Sequence, residues 1–178
     1  MAVKDSIRSK LRRIKVLLLD VDGVLTDGGV YYTAAGHEAK KFNTQDGYGI
    51  VKLQQAGIKV GIITGRTSEI VKRRAEELGI EEVHQNLEEK IVAYEGILVR
   101  FNVRDDEVAY VGDDEPDLPI LRRVGFSAAP AGAVDVVERS VDYLCKRKGG
   151  SGAVREVIDL LLSVSKKRGD GKSRRIST

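Results

Sequence analysis

Three short apolar runs constrain this chain more than any other feature: "KVLLLD" (15–20), "IKVGIIT" (58–64) and "EVAYVGD" (107–113). Each stops at a carboxylate or a hydroxyl. Each has the length of one strand and lacks the polar alternation of a half-solvated sheet face, so each predicts a strand buried on both faces of a parallel sheet. Helical punctuation lies between them. "YGIVKLQQAG" (48–57) closes on Gly57, while "TSEIVKRRAEELG" (67–79) opens on Thr67 and Ser68 and closes on Gly79. The alternation continues with helical patterns at 87–101, 116–125, 133–140 and 152–164. Shorter strands are expected in "EEVHQN", "GFSAAP" and "DYLCK".

This β-α-β-α order predicts an α/β fold, a three-layer sandwich around a mostly parallel sheet. Ile7, Leu11 and Ile14 are spaced for a short helix ahead of the first strand. One segment breaks the rhythm. "GGVYYTAAGHEAKKFN" (28–43) separates the first strand from its helix by more than an ordinary connection needs, and reads as an inserted β-hairpin. There is no room for a large cap domain. The 178 residues are expected to form one domain, with its core over 15–163 and a basic tail over 164–178. The tail's "KKRGDGKSRRIST" has no aromatic or motif support for a nucleic-acid arm and reads as a solvated end. No apolar run reaches the roughly 18 residues that span a bilayer, and no secretory apolar core stands at the N-terminus. A single cysteine, Cys145, excludes an intrachain disulfide framework, so a cytoplasmic setting is expected.

In an open parallel sheet, ligands bind beyond the carboxyl ends of the strands. Asp20 and Asp22 follow the first run, Thr64-Gly65-Arg66 the second, and Gly112-Asp113-Asp114 the third, with Asp117 one helical turn on and Lys90 shortly after "EEVHQN". Carboxylates packed this closely repel one another unless a cation joins them. Mg²⁺ suits the set, since it takes one or two carboxylates together with phosphate oxygens and water. Asp20 as nucleophile would form an aspartyl-phosphate, Asp22 would act as general acid and then base, and Thr64 and Lys90 would hold phosphoryl oxygens. His37 and His84 lack partners at metal-ligand spacing, and Cys145 lacks an activating base, so these three are read as structural.

"DVDGVLTDG" (20–28), "ITGR" (63–66), Lys90 and "GDDEPD" (112–117) resemble, in that order, the four motifs of the haloacid dehalogenase superfamily of phosphohydrolases. Together with "FNTQDGYGI" (42–50) and "KGGSGAVREV" (148–157), they are similar to the cap-less branch acting on the eight-carbon keto-sugar acid phosphate 3-deoxy-D-manno-octulosonate 8-phosphate (KDO 8-phosphate). The resemblance implies a Rossmann-like fold of that superfamily, and a phosphatase of lipopolysaccharide precursor synthesis. It implies Asp20 as nucleophile, Asp22 as acid/base, and Mg²⁺ held by Asp20, Asp113 and the backbone carbonyl of Asp22. Substrate contacts would fall on Asp22, Asn43, Thr44, Gln45, Asp46, Gly47, Lys52, Arg66, Arg74 and Lys90. It further implies a homotetramer built on the hairpins, in which a neighbouring subunit covers the site, with no nucleic-acid or membrane partner.

Arg66 suits the substrate's second charge, because a guanidinium binds a carboxylate in bidentate fashion. The alternative for Arg74 is an exposed i,i+3 ion pair with Glu77. Two alternatives stay open: a phosphatase of a related nine-carbon keto-sugar acid, and a non-catalytic assembly domain of the same fold. A signalling receiver domain uses similar residues in another order, with its acid pair first; here the Asp-x-Asp pair comes first.

Overall fold

In the computed structural model, which describes residues 5–165, the apolar runs become neighbouring strands. Helix α1 (Asp5–Leu11) leads into β1 (Val16–Leu19), followed by a hairpin of β2 (Tyr31–Tyr32) and β3 (Glu38–Ala39). Then come α2 (Thr44–Gln55), β4 (Lys59–Ile63), α3 (Glu69–Leu78), β5 (Glu82–His84) and α4 (Lys90–Phe101). The second half runs through β6 (Val108–Val111), α5 (Leu118–Leu121), β7 (Phe126–Ala129), α6 (Asp135–Glu138), β8 (Tyr143–Leu144) and α7 (Ala153–Ser165). The expected tail residues 166–178 lie outside the described residues. No helix among the described residues is long and apolar enough to cross a membrane.

Six strands form one sheet in the order β5-β4-β1-β6-β7-β8, and every pairing is parallel. The register aligns the ends of the three apolar runs: Leu19 lies opposite Ile62 on one side and Val111 on the other. The alternation hidden inside "VLLL" appears in the packing. Leu17 and Leu19 enter the core shared with α1, α2, α3 and α7, whereas Val16 and Leu18 enter the core shared with α4, α5 and α6. Both faces are therefore covered, which is why neither alternate set of residues could be polar.

From β1 the chain winds outward to β4 and β5 and returns through α4. From β6, beside β1, it winds the other way to β7 and β8. The reversal between β1 and β6 opens a crevice at their carboxyl ends. The hairpin lies between β1 and α2, as expected, and its base is closed by an antiparallel bridge between Thr26 and Phe42. No large cap covers the sheet edge among the described residues.

Several helical boundaries differ from the periodicity, α6 covering only Asp135–Glu138 of the expected 133–140. Helix α2 begins four residues earlier than "YGIVKLQQAG", because the Asn43 side chain accepts from the Gln45 and Asp46 amides and caps it. Helix α4 begins only at Lys90, three residues after Leu87. The segment 116–125 divides into a 3₁₀ turn (Glu115–Asp117) and the single turn of α5, with the Asp114 carboxylate accepting from the Glu115 amide ahead of Pro116.

Candidate active site

Asp20 is the first residue beyond β1, and its amide still donates to the Val111 carbonyl at 3.0 Å, so the sheet ladder fixes where its side chain starts. Its carboxylate is buried and receives the Lys90 ammonium at 2.8 Å. Lys90 opens α4 and also donates to Asp117 at 2.7 Å. Burial, then the Asp117 charge, push the Asp20 carboxyl up to about 6, against the pull of Lys90. Burial alone would lower the Lys90 ammonium, but Asp20 and Asp117 outweigh it and hold it above the ordinary lysine range.

Asp117 is fully buried and saturated. Its Oδ1 accepts from Lys90 and from the Tyr110 hydroxyl at 2.6 Å, and its Oδ2 from the amides of Asp113 and Asp114 at 3.0 and 3.3 Å. It anchors both Lys90 and the turn that carries Asp113.

Asp113 is the group left in deficit. Its Oδ1 is buried with no hydrogen-bond partner, and burial together with Asp20 and Asp117 pushes the carboxyl up to about 8. Gly23 presses on it: a Cβ there would sit 1.9 Å from Asp113 Oδ2, and the φ of +86° also favours glycine. Oxygens of Asp20, Asp113 and Asp117 lie within 4.8 Å of one another. A buried, partnerless carboxylate oxygen facing two more carboxylates fits a hard divalent cation, because such an ion supplies the missing partner and removes the repulsion. Asp20 and Asp113 are the available ligands, since the lone pairs of Asp117 are engaged elsewhere.

Asp22 lies beyond β1 and meets the hairpin. Its Oδ1 accepts from Lys40, whose side chain is only 1% exposed, and its Oδ2 has Arg66 Nε at 3.9 Å. Arg66 also reaches Glu38 Oε1 at 3.2 Å, and the Ser68 hydroxyl donates to Glu38 Oε2 at 2.7 Å. Thr64 is the first residue beyond β4 and is buried, with its hydroxyl accepting weakly from the Arg66 amide at 3.4 Å.

The remaining expected contacts divide. Asn43 and Thr44 form the start of α2, and the Gln45 carboxamide accepts from Arg147 at 3.1 Å. Asp46 is buried, and its carboxylate accepts the Gly152 and Arg155 amides at 3.3 and 2.7 Å, binding α2 to the start of α7. Arg74 does pair with Glu77 at 3.1 Å, yet its guanidinium also packs on Phe42 and closely against Gly47. Lys52 stands in the last turn of α2, roughly 13 Å along the axis from the Asn43 cap at 1.5 Å per residue. No hydrogen bond or ion pair joins it to the site among the described residues.

Sequence reasoning assigned no role to Glu38, Lys40 or Ser68, and counted Asp117 only as a further acid. The position of Asp117 four residues after Asp113 was a usable signal; the hairpin residues carried none. Cys145 is buried, with burial pushing its thiol up to about 12, and His84 bonds Glu82 at 2.6 Å. Both agree with structural roles.

The haloacid dehalogenase-like hydrolase family model matches residues 49–125. The 3-deoxy-D-manno-octulosonate 8-phosphate phosphatase of Escherichia coli strain K12 is 41% identical over 174 residues, 98% of this chain and 93% of that protein. The crystal structure of the Yersinia pestis phosphatase of the same name superposes with a TM-score of 0.91 at 42% identity, covering 94% of this chain and 91% of the other. The Moraxella catarrhalis phosphatase, crystallised with magnesium, phosphate and KDO, gives a TM-score of 0.90 at 39% identity, over 93% and 95% of the two chains. With likeness at this level along nearly the whole chain, the protein belongs to the 3-deoxy-D-manno-octulosonate 8-phosphate phosphatase family of haloacid dehalogenase-like hydrolases.

Proposed function

We propose that this chain is a Mg²⁺-dependent phosphatase that hydrolyses KDO 8-phosphate to KDO and inorganic phosphate, a step of lipopolysaccharide precursor synthesis. The observation that carries it is the buried Asp20–Lys90–Asp117 array beside the partnerless carboxylate of Asp113. A relative 39% identical was crystallised with the cation and both products of this reaction. When bound by Asp20, Asp113 and the Asp22 carbonyl, the cation would offset the charge of the phosphoryl group.

The chemistry of the side chains follows. An Asp20 oxygen attacks phosphorus, the bond from phosphorus to the sugar oxygen breaks, and Asp22 delivers its proton to the departing alkoxide. Asp22, now a carboxylate, takes a proton from water; the water oxygen attacks phosphorus and releases inorganic phosphate and Asp20. The Lys90 ammonium and the Thr64 hydroxyl hold phosphoryl oxygens during both steps. With its carboxyl near 6, Asp20 is mostly ionised at neutral pH, as a nucleophile must be. Arg66, Arg74 and Lys52 supply positive charge for the substrate carboxylate and hydroxyls, and the Asn43–Gly47 turn shapes the entrance. Arg66 already binds a carboxylate, that of Glu38, which supports its assignment.

We read the chain as one catalytic domain that works in the cytoplasm as a homotetramer. The exposed Val30, Tyr31 and Tyr32 of the hairpin support an assembly in which a neighbour covers the site. Phosphate release is the direct test. Asp20→Asn is expected to reduce turnover by at least about a thousandfold while leaving the thermal transition in place. Chelation should stop the parent enzyme and Mg²⁺ restore it. Near-normal phosphate release by Asp20→Asn would remove the nucleophile assignment.

A further inference from the structure

A lysine on a surface hairpin ordinarily runs its stem along the protein and keeps the ammonium in water. Lys40, just after β3, does the opposite: its side chain is 1% exposed, and its ammonium lies between Asp22 Oδ1 and Glu38 Oε1, the latter at 3.5 Å. Burying an ammonium is costly unless carboxylates replace its water, and these two do so. Glu38 is held in turn by the Ser68 hydroxyl at 2.7 Å and by Arg66 at 3.2 Å. The hairpin thus carries a braced cation onto one oxygen of Asp22. The other oxygen takes no hydrogen bond among the described residues, with Arg66 Nε 3.9 Å away.

We infer that Lys40 is the positioning residue for Asp22: by engaging Oδ1 it sets the carboxyl rotamer and leaves Oδ2 to carry the proton given to the leaving group. The inference rests on the acid role of Asp22 proposed above. Lys40 is not placed on the substrate. Its effect is therefore confined to the step in which the leaving oxygen needs a proton.

Phenyl phosphate and 4-nitrophenyl phosphate separate that step from general damage. They have similar shapes and no carboxylate, but 4-nitrophenolate departs far more readily without a proton. The quantity to compare is kcat/KM, which extends only to the first irreversible step, departure of the leaving group. Lys40→Met keeps the stem and removes the ammonium. It is expected to lose about tenfold or more in kcat/KM for phenyl phosphate relative to 4-nitrophenyl phosphate, with Asp22→Asn losing about a hundredfold on the same ratio. Lys40→Arg, which keeps a cation, should stay near the parent ratio. Should Lys40→Met not fold, the ratio is read in Lys40→Gln. If Asp22→Asn discriminates between the two esters and the neutral Lys40 variant loses both equally, Lys40 is only structural and the inference falls. If Asp22→Asn itself does not discriminate, the acid assignment fails and takes the Lys40 role with it.

Discussion

At the scale of single residues, the site is a set of unequal carboxylates. Asp117 has four donors and serves as an anchor, Asp20 has one strong cation, and Asp113 has an oxygen with nothing. Because burial raises the Asp113 carboxyl to about 8 in the metal-free protein, the folded chain keeps a proton there that the unfolded chain releases near the ordinary carboxylate value. Stability therefore falls as pH rises from that ordinary value toward 8, and below it the group contributes no difference. Asp113→Asn removes the penalty. In chelated protein at pH 7 the variant is expected to be more stable than the parent by at least about 1.4 kcal/mol, the free energy of a tenfold change in proton affinity, with no gain below about pH 4. Added Mg²⁺ should raise the melting temperature of the parent and not of the variant. Thermal melts at the two pH values, with and without Mg²⁺, check this; equal stability at pH 7 would mean that Asp113 is not under strain.

At the scale of elements, the "NTQDG" segment that starts α2 also holds the start of α7. Asp46 caps α7 from a distance of more than a hundred residues, accepting from Gly152 and Arg155. The glycine-rich segment ahead of α7 is drawn against the loop after Asp22: a Cβ at Gly149 would fall 1.8 Å from the Gly23 carbonyl oxygen, so only glycine allows that approach. Asp46→Ala is expected to cost about 1–2 kcal/mol, as lost helix caps do, and to speed amide exchange at Gly152 and Arg155 ahead of the sheet. Unchanged protection at those two amides would show that α7 does not depend on the cap.

At the scale of the whole molecule, the hairpin is where the chain departs from a bare three-layer sandwich. Its outer side shows Tyr32 at 67% exposure, while its inner side delivers Lys40 to Asp22. An assembly formed through the hairpins would brace that inner contact as well as cover the crevice. Sedimentation velocity should accordingly give the mass of four chains for the parent protein, and Tyr32→Asp should shift it toward smaller species. A parent that sediments as a monomer at micromolar concentration would discard the tetramer.

Much of this was legible along the chain. Runs such as "KVLLLD" encode strand, burial and stopping point together, because continuous apolarity suits only a strand covered on both faces, and the next polar residue must lie at its end. Asp20, Thr64 and Asp113 could therefore be placed at one sheet edge from the order of the runs alone. The boundaries of α2 and α4 were less legible, since a cap such as Asn43 belongs to no hydrophobic period. Least legible were partners. Whether Lys40 points to water or to Asp22, whether the Asp46 carboxylate reaches α7, and whether the lone pairs of Asp117 are engaged depend on groups brought together across the fold. The sequence by itself determined the layers, the strand ends and the gathering of Asp20, Thr64 and Asp113 at one sheet edge, through local periodicity and chain order. Only the tertiary structure decided which lone pairs were already occupied, because hydrogen bonds are short and their partners here come from distant parts of the chain.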